Sequence, residues 1–133
     1  MLDNKTCLKM FRVAREALKN TYPNGKGFAI AVLTKNGNIY PGVSYKSDTY
    51  TLTMHSEAVA LAHAATHGEK EIVAITGPNC HICKQLIYEN SLRSGIDTLV
   101  IIKENNVIKQ IPISKLMLYP WPEQPTEVNN KKF

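Results

Sequence analysis

The sequence contains no apolar run that approaches the roughly 18 residues of a membrane-spanning helix. Its beginning, MLDNKTCLKMFRVAREALKN, places charged side chains in every turn and lacks the apolar block of a secretory signal. A length of 133 residues is enough to bury one core and too short for two. We therefore expect a cytoplasmic protein without membrane contact, folded as a single domain over residues 1–133 with a flexible polar tail at about 122–133.

Cysteine is scarce, with three residues in the chain. An odd number of thiols in a reducing compartment is poor material for disulfides. Cys7, Cys80 and Cys83 are therefore interpreted as core, metal-binding or catalytic residues. Cys7 falls on the apolar side of the first predicted helix, which predicts a core thiol.

The net charge of +5 raises the possibility of a nucleic-acid partner. Many of the basic residues share one face of the first predicted helix, and no aromatic side chains for base stacking lie among them. That pattern is typical of a solvated helix face. We expect a small-molecule partner rather than nucleic acid.

Apolar periodicity and turn residues predict an α/β fold with the order helix, two strands, helix, strand, helix, two strands. The Asn36-Gly37 pair predicts a hairpin between the first two strands. The gap at residues 105–106 is too short for a parallel crossover, so the last two strands should be antiparallel. The predicted helices and strands cover 4–20, 28–34, 39–45, 56–67, 71–76, 80–94, 98–104 and 107–113.

The second predicted helix, SEAVALAHAATH, is nearly all small and apolar, so neighbouring elements should cover it on most sides. One strip along it carries Ser56, Ala60, His63 and His67. The two histidines have the spacing of a metal site but no third ligand in register, which favours surface histidines.

A Cys-x-x-Cys, Cys80 to Cys83, follows a predicted strand and a Gly-Pro break at the start of a helix. Alone, this motif is typical of either a redox dithiol or half of a zinc site. His55, also at a predicted helix start, could supply a third zinc ligand and leave one position open for water. A closed structural site is disfavoured because neither Cys7 nor His81 is a suitable fourth ligand.

Glu57, two residues after His55, would stand beside that water without binding the metal. A zinc ion lowers the pKa of bound water to about 7, and a neighbouring carboxylate can accept its proton and pass it to a leaving group. His-x-Glu followed by Pro and Cys-x-x-Cys is the signature of zinc-dependent nucleobase deaminases. Here the two segments read HSE and PNCHIC.

The stretch GNIYPGVSYKSDTYTLTMHSE resembles the cytidine deaminase family, as do CHICKQLI and the later ISKLMLYPW. The chain is also similar to blasticidin S deaminase. The resemblance implies a three-layer fold with a mixed five-stranded sheet, helices on both faces and a homotetramer or homodimer. It also implies Zn²⁺ held by His55, Cys80 and Cys83, with Glu57 as the catalytic residue. Antiparallel last strands are the arrangement of family members that act on free nucleosides; polynucleotide deaminases join these strands through a helix.

Three departures from the family pattern stand near the predicted metal site. His55 replaces a cysteine found in many members, and Ala58 replaces an arginine that follows the catalytic glutamate. These two changes agree electrostatically, because two thiolates and a neutral imidazole balance a divalent cation without a nearby positive charge. Asn79 is an extra residue between Pro78 and Cys80, which could alter how the leaving amine is received.

The resemblance predicts four substrate-binding residues: Phe28, Ser44, Lys46 and Ser56. Ser44 and Lys46 occupy the positions of the family's ribose-binding Asn-x-Glu. An ammonium donates hydrogen bonds where a carboxylate accepts them, so Lys46 faces either an anionic or acceptor-rich substrate group or only solvent. Phe28 is shifted relative to the family's base-contacting phenylalanine, and core packing is its alternative role.

The sequence thus predicts hydrolytic deamination of a free aminopyrimidine nucleoside or analogue, cytidine-like to uridine-like plus ammonia, in pyrimidine salvage or in detoxification. A modified or anionic nucleoside, such as a blasticidin-type compound or a nucleotide, is an alternative substrate. A polynucleotide editor and a zinc-bearing domain that binds nucleosides without catalysis are alternative functions.

Overall fold

A computed structural model describes residues 1–125 of the chain. Within that range the order of helices and strands is the predicted one. The α-helices and strands are α1 (Asn4–Ala17), β1 (Ala29–Thr34), β2 (Ile39–Val43), α2 (Ser56–Thr66), β3 (Ile72–Thr76), α3 (His81–Ser94), β4 (Leu99–Glu104) and β5 (Val107–Pro112). Short 3-10 helices cover Leu18–Asn20, Tyr50–Leu52 and Ile113–Lys115.

The predicted tail falls mostly outside the described residues. Residues 126–133 are not part of the description, so their predicted flexibility stays a prediction. At the predicted start of the tail, the carbonyl of Pro122 accepts a hydrogen bond of 2.7 Å from the Tyr88 hydroxyl.

The five strands form one mixed sheet in the order β2-β1-β3-β4-β5. The β3–β4 pair is parallel and the other pairs are antiparallel. Asn105 and Asn106, with φ of 51° and 63°, form the tight turn between β4 and β5. The predicted antiparallel arrangement of the last two strands is therefore confirmed.

Helices cover both faces of the sheet, which confirms the predicted three layers. Side chains alternate across β1, so Ile30 and Val32 face one layer while Ala31 and Leu33 face the other. The first layer contains α2 and α3, and the second contains α1. Cys7 of α1 is fully buried there, as a core thiol should be.

Several chain ends meet at one edge of the sheet. Because β1 runs antiparallel to β2 and β3, the beginning of β1 lies beside the ends of the other two strands. The start of α3 follows the end of β3 after a four-residue connection, residues 77–80. This edge therefore collects side chains from parts of the chain that are distant in sequence.

Helix α2 packs directly onto β2 at Gly42. A Cβ at Gly42 would lie 2.3 Å from both the Ser56 carbonyl oxygen and the Ala60 amide nitrogen. Ser56 and Ala60 are buried, so the first half of the strip that holds them faces β2. Further along, Nδ1 of half-buried His63 lies 2.9 Å from the Pro41 carbonyl oxygen. The expectation that His63 and His67 are surface residues was therefore wrong in part, since β2 half-covers His63 while His67 is exposed.

The other end of α2 is fixed by Glu69, which follows the helix. Its carboxylate accepts hydrogen bonds from Thr34 Oγ1 at 2.5 Å, from Asn38 Nδ2 at 2.9 Å and from the Tyr40 hydroxyl. The bonds from Thr34 and Tyr40 lower the pKa of Glu69 to about 2. This cluster ties the β1–β2 hairpin to the end of α2.

Replacing Gly42 by alanine should destabilise the fold by about 1–3 kcal/mol, because the added methyl meets helix backbone that cannot rotate away. Urea denaturation monitored by circular dichroism would measure the loss. The double variant Gly42→Ala/Ala60→Gly should not recover stability, since the contacts to the Ser56 oxygen and the Ala60 nitrogen remain. Stability of the single variant within 0.5 kcal/mol of wild type, about the usual effect of a surface substitution, would contradict this account.

Candidate active site

His55 is the residue immediately before α2 and forms its N-cap. Two backbone hydrogen bonds of 2.9 Å between Tyr45 and Met54 close the loop that leads from β2 to this position. The close packing of α2 on Gly42 fixes the helix that follows. His55 is thereby held at the sheet edge where β2 ends.

Cys80 and Cys83 lie at the start of α3. Cys80 is the N-cap, and its sulfur accepts a hydrogen bond of 3.4 Å from the Cys83 amide. The positive end of the helix dipole and the free amides of the first turn stabilise negative charge on sulfur here. Cys80 is exposed whereas Cys83, in the first turn of α3, is buried.

The structure brings the three predicted metal ligands together. His55 Nδ1 lies 3.2 Å from the Cys83 sulfur and 3.5 Å from the Cys80 sulfur, and all three donor atoms lie within 4.8 Å of one another. Donors that share a tetrahedral zinc ion are about 3.5–4 Å apart, given Zn–N and Zn–S distances of about 2.0 and 2.3 Å. Among residues 1–125, no other group of three His, Cys, Asp or Glu side chains is this compact.

The electrostatics of the site also suit a divalent cation. Burial raises the pKa of the Cys83 thiol well above its usual range, and Cys80 and Glu57 raise that pKa further. The thiolate form that binds metal therefore needs a positive charge nearby. Two sulfurs and one imidazole nitrogen are a donor set that zinc prefers, and this set leaves a fourth position open.

Glu57 lies in the first turn of α2 and is 7% exposed. One carboxylate oxygen, Oε1, accepts a hydrogen bond of 3.0 Å from the Ser56 hydroxyl. The other oxygen, Oε2, accepts one of 2.8 Å from Nδ2 of Asn79. The carboxylate is therefore held beside the Cys83 sulfur without being one of the three grouped donors.

A large cleft of about 1150 Å³ opens above this site. His55, Glu57 and Cys80 form part of its wall. The four predicted substrate-binding residues line the same cleft: Phe28, Ser44, Lys46 and Ser56. All of the predicted site residues except Cys83 therefore line one cavity.

The environments of the substrate-binding candidates differ. Phe28 is 77% exposed, which excludes core packing as its role in this chain. Ser44 Oγ accepts a hydrogen bond of 3.0 Å from the Phe28 amide, so its own hydroxyl proton is left to donate. Lys46 is exposed, and buried Ser56 donates to Glu57 as described above.

Sequence reasoning did not find every residue of the site. Asn79 was noted as an extra residue, but its hydrogen bond to Glu57 was not predicted. Arg15 and Lys26 also line the cleft, and no motif marks either of them. The position of Asn79 next to a metal-ligand cysteine was the one signal available in the sequence.

A model of the cytidine and deoxycytidylate deaminase zinc-binding region matches residues 4–103. The chain belongs to the cytidine and deoxycytidylate deaminase family. This confirms the resemblance seen in the sequence. Together with the His–Cys–Cys donor set, family membership also confirms Zn²⁺ as the cofactor.

Solved structures with a similar fold include three bacterial cytidine deaminases. The one from Burkholderia pseudomallei is 18% identical with a TM-score of 0.70, and the match covers 92% of this chain and 99% of that one. The structure from Mycobacterium leprae is 19% identical with a TM-score of 0.67, and the match covers 92% of this chain and 100% of that one. The structure from Bacillus anthracis is 19% identical with a TM-score of 0.65, and the match covers 88% of this chain and 90% of that one.

These structural matches confirm the predicted fold class. No curated protein sequence matches the chain significantly. None of the helices within residues 1–125 combines the length and the apolar character needed to cross a membrane.

We expect Cys83→Ala to lose most of its zinc, because it removes the buried donor and leaves two ligands. Metal content per chain after dialysis, measured by atomic emission, would test this. Cys7→Ala is the matched control: Cys7 is equally a buried cysteine but lies in the layer of α1, so this variant should keep zinc. Equal zinc content in both variants would contradict the assignment.

Proposed function

We propose that this protein is a zinc-dependent hydrolytic deaminase of a free aminopyrimidine nucleoside or a close analogue. The observation that carries the proposal is the buried Glu57 carboxylate beside a His–Cys–Cys donor set at the base of an open cleft. Family membership supports the same reaction class.

His55, Cys80 and Cys83 are the residues that would hold the metal. Zinc, when bound, supplies the Lewis acidity that makes a water molecule nucleophilic near neutral pH. The exposed Cys80 and His55 lie on the cleft side of this group, where a substrate base can approach. Cys83, beneath them, does not line that cleft.

Glu57 moves the protons of the reaction. Its carboxylate accepts a proton from the attacking water and delivers it to the ring nitrogen next to the amino-bearing carbon. The new carbon–oxygen bond then becomes a carbonyl as the carbon–nitrogen bond breaks. Glu57 transfers the second water proton to the departing amine. The water oxygen therefore stays in the product as the carbonyl oxygen, and the amino group leaves as ammonia.

A free nucleoside fits the construction of the sheet edge. The β4–β5 connection is a two-residue turn, which is the arrangement that the resemblance associates with deaminases of free nucleosides. The exposed ring of Phe28 at the cleft wall offers a surface for a pyrimidine base. We also infer a homodimer or homotetramer, supported by large exposed apolar side chains near the cleft such as Tyr50 and Ile82.

A substrate with an anionic group is favoured by the charge of the cleft wall. Three basic side chains line it, Arg15, Lys26 and Lys46, against one acidic side chain besides Glu57, Asp48. Lys46 occupies the position at which the resemblance predicts ribose recognition. We propose that Lys46 donates to a phosphate, a carboxylate or an acceptor-rich modified sugar.

Replacing Glu57 by glutamine should leave zinc and fold in place and reduce turnover at least about 100- to 10,000-fold, the usual contribution of proton transfer. Turnover would be measured across a panel of aminated bases, nucleosides and nucleotides. Glu71→Gln, a change of the same type at an exposed residue, should stay at the wild-type rate. Zinc-loaded wild type without turnover on any substrate would contradict the proposed activity.

Replacing Lys46 by glutamate should lower kcat/KM for an anionic substrate about tenfold to a hundredfold relative to a neutral one, because a charged hydrogen bond becomes a repulsion. The comparison would use cytidine, its monophosphate and a blasticidin-type nucleoside. Lys115→Glu makes the same change of charge outside the cleft and controls for the net field. An unchanged substrate ranking in the Lys46 variant would refute the role of Lys46.

A further inference from the structure

Asn79 donates a hydrogen bond of 2.8 Å to the carboxylate of Glu57. We propose that Asn79 is a positioning residue for the deamination step, acting through Glu57 rather than touching the substrate. This inference rests on the proposed function, because it assigns a role within the same reaction.

The hydrogen bonds of Asn79 fix the orientation of its amide. Nδ2 lies 2.8 Å from Glu57 Oε2 and 3.1 Å from the Thr76 carbonyl oxygen. Both neighbours are oxygen acceptors here, so the amide group that faces them must be the NH₂. Asn79 therefore bridges the end of β3 and the first turn of α2 from its place just before α3.

The side chain of Asn79 is turned inward, away from solvent. It is 7% exposed, and its Oδ1 has no hydrogen-bond partner among residues 1–125. An unpaired buried carbonyl disfavours this conformation. The bond to a carboxylate, which is stronger than one between neutral groups, offsets that cost.

Gly77 makes the space that this conformation needs. A Cβ at Gly77 would lie 2.9 Å from Asn79 Oδ1 and 2.7 Å from Val100 Cγ1. A side chain there would force Val100 and Asn79 to shift from these positions. The absence of a side chain at Gly77 therefore leaves room for the Asn79 amide next to the Glu57 carboxylate.

Each oxygen of the Glu57 carboxylate accepts one hydrogen bond, and this arrangement still allows Glu57 to accept and deliver protons. Ser56 binds Oε1 and Asn79 binds Oε2, and each carboxylate oxygen keeps a second lone pair for proton transfer. Without Asn79, the carboxylate could rotate about its side-chain bonds beside the Cys83 sulfur. A displacement of about 1 Å in a reacting group can cost about 100-fold in rate.

The residue that makes this contact has no counterpart in the family motif. Asn79 is the extra residue between Pro78 and Cys80, so the bond to Glu57 is a feature of this chain rather than of the shared motif.

The test is kinetic and uses the zinc-loaded protein. Asn79→Ala should lower kcat about tenfold to a hundredfold while KM changes less than about threefold, since the lost bond to a charged group acts on the reacting carboxylate. Asn79→Asp, which keeps the size but removes the donor, should lose at least as much. Zinc content should stay at the wild-type level in both variants.

Asn90→Ala is the matched control. Asn90 also donates through Nδ2 to a backbone carbonyl, that of Lys70 at 3.2 Å, and its buried Oδ1 likewise has no partner among the described residues. Its replacement should leave kcat unchanged. A kcat of Asn79→Ala within threefold of the Asn90→Ala value would overturn the proposal, as would a loss of rate that merely follows a loss of zinc.

Two further measurements do not depend on turnover. A nucleoside analogue with a tetrahedral, hydroxyl-bearing carbon at the reacting position should bind Asn79→Ala more weakly by the same factor as the loss in kcat/KM, measured by calorimetry. In wild type, the side-chain NH₂ resonance of Asn79 should move on Glu57→Gln. An unmoved resonance overturns the contact, whereas wild type that is inactive on every substrate would refute the proposed function instead.

Discussion

The site depends on one close backbone contact, the packing of α2 against β2 at Gly42. Ser56 and Ala60 can approach the strand because position 42 has no side chain. That contact fixes the start of α2, where His55 is the N-cap and Glu57 lies in the first turn. The alanine-rich sequence of α2 has its physical reason here, since bulky residues on this face would lift the helix and move both functional groups away from Cys80 and Cys83.

Charge balance relates the predicted metal ligands to the residues around them. The three predicted metal ligands lie at the N-termini of two helices, where free amides favour negative charge. With His55 in place of a third thiolate, the site carries less negative charge and does without a cation after Glu57, where the chain has Ala58. The basic residues Arg15, Lys26 and Lys46 are placed instead along the cleft wall.

Local signals predicted most of the fold and the polar centre of the site. The hairpin at Asn36-Gly37, the turn at Asn105-Asn106 and the motifs His55-x-Glu57 and Cys80-x-x-Cys83 are readable because each is a short local pattern in the sequence. The packing partner of the α2 face that holds Ser56 and Ala60 could not be predicted in this way, because that partner is a glycine on another element, Gly42 of β2. The bond from Asn79 to Glu57 also joins residues 22 positions apart, and a lone asparagine in a sequence carries no sign of such a partner.

The burial of Cys7 has a consequence for the chemistry of the other two thiols. Cys7 is fully enclosed in the layer of α1, on the opposite face of the sheet from α3, so it cannot exchange with either of them. Disulfide formation between cysteines of one chain is thereby confined to Cys80 and Cys83. The predicted zinc site and a disulfide would use the same two sulfur atoms. With Cys80 and Cys83 as zinc ligands, the redox interpretation of Cys-x-x-Cys would describe the site without its metal rather than a separate activity, and bound zinc would protect the pair from oxidants.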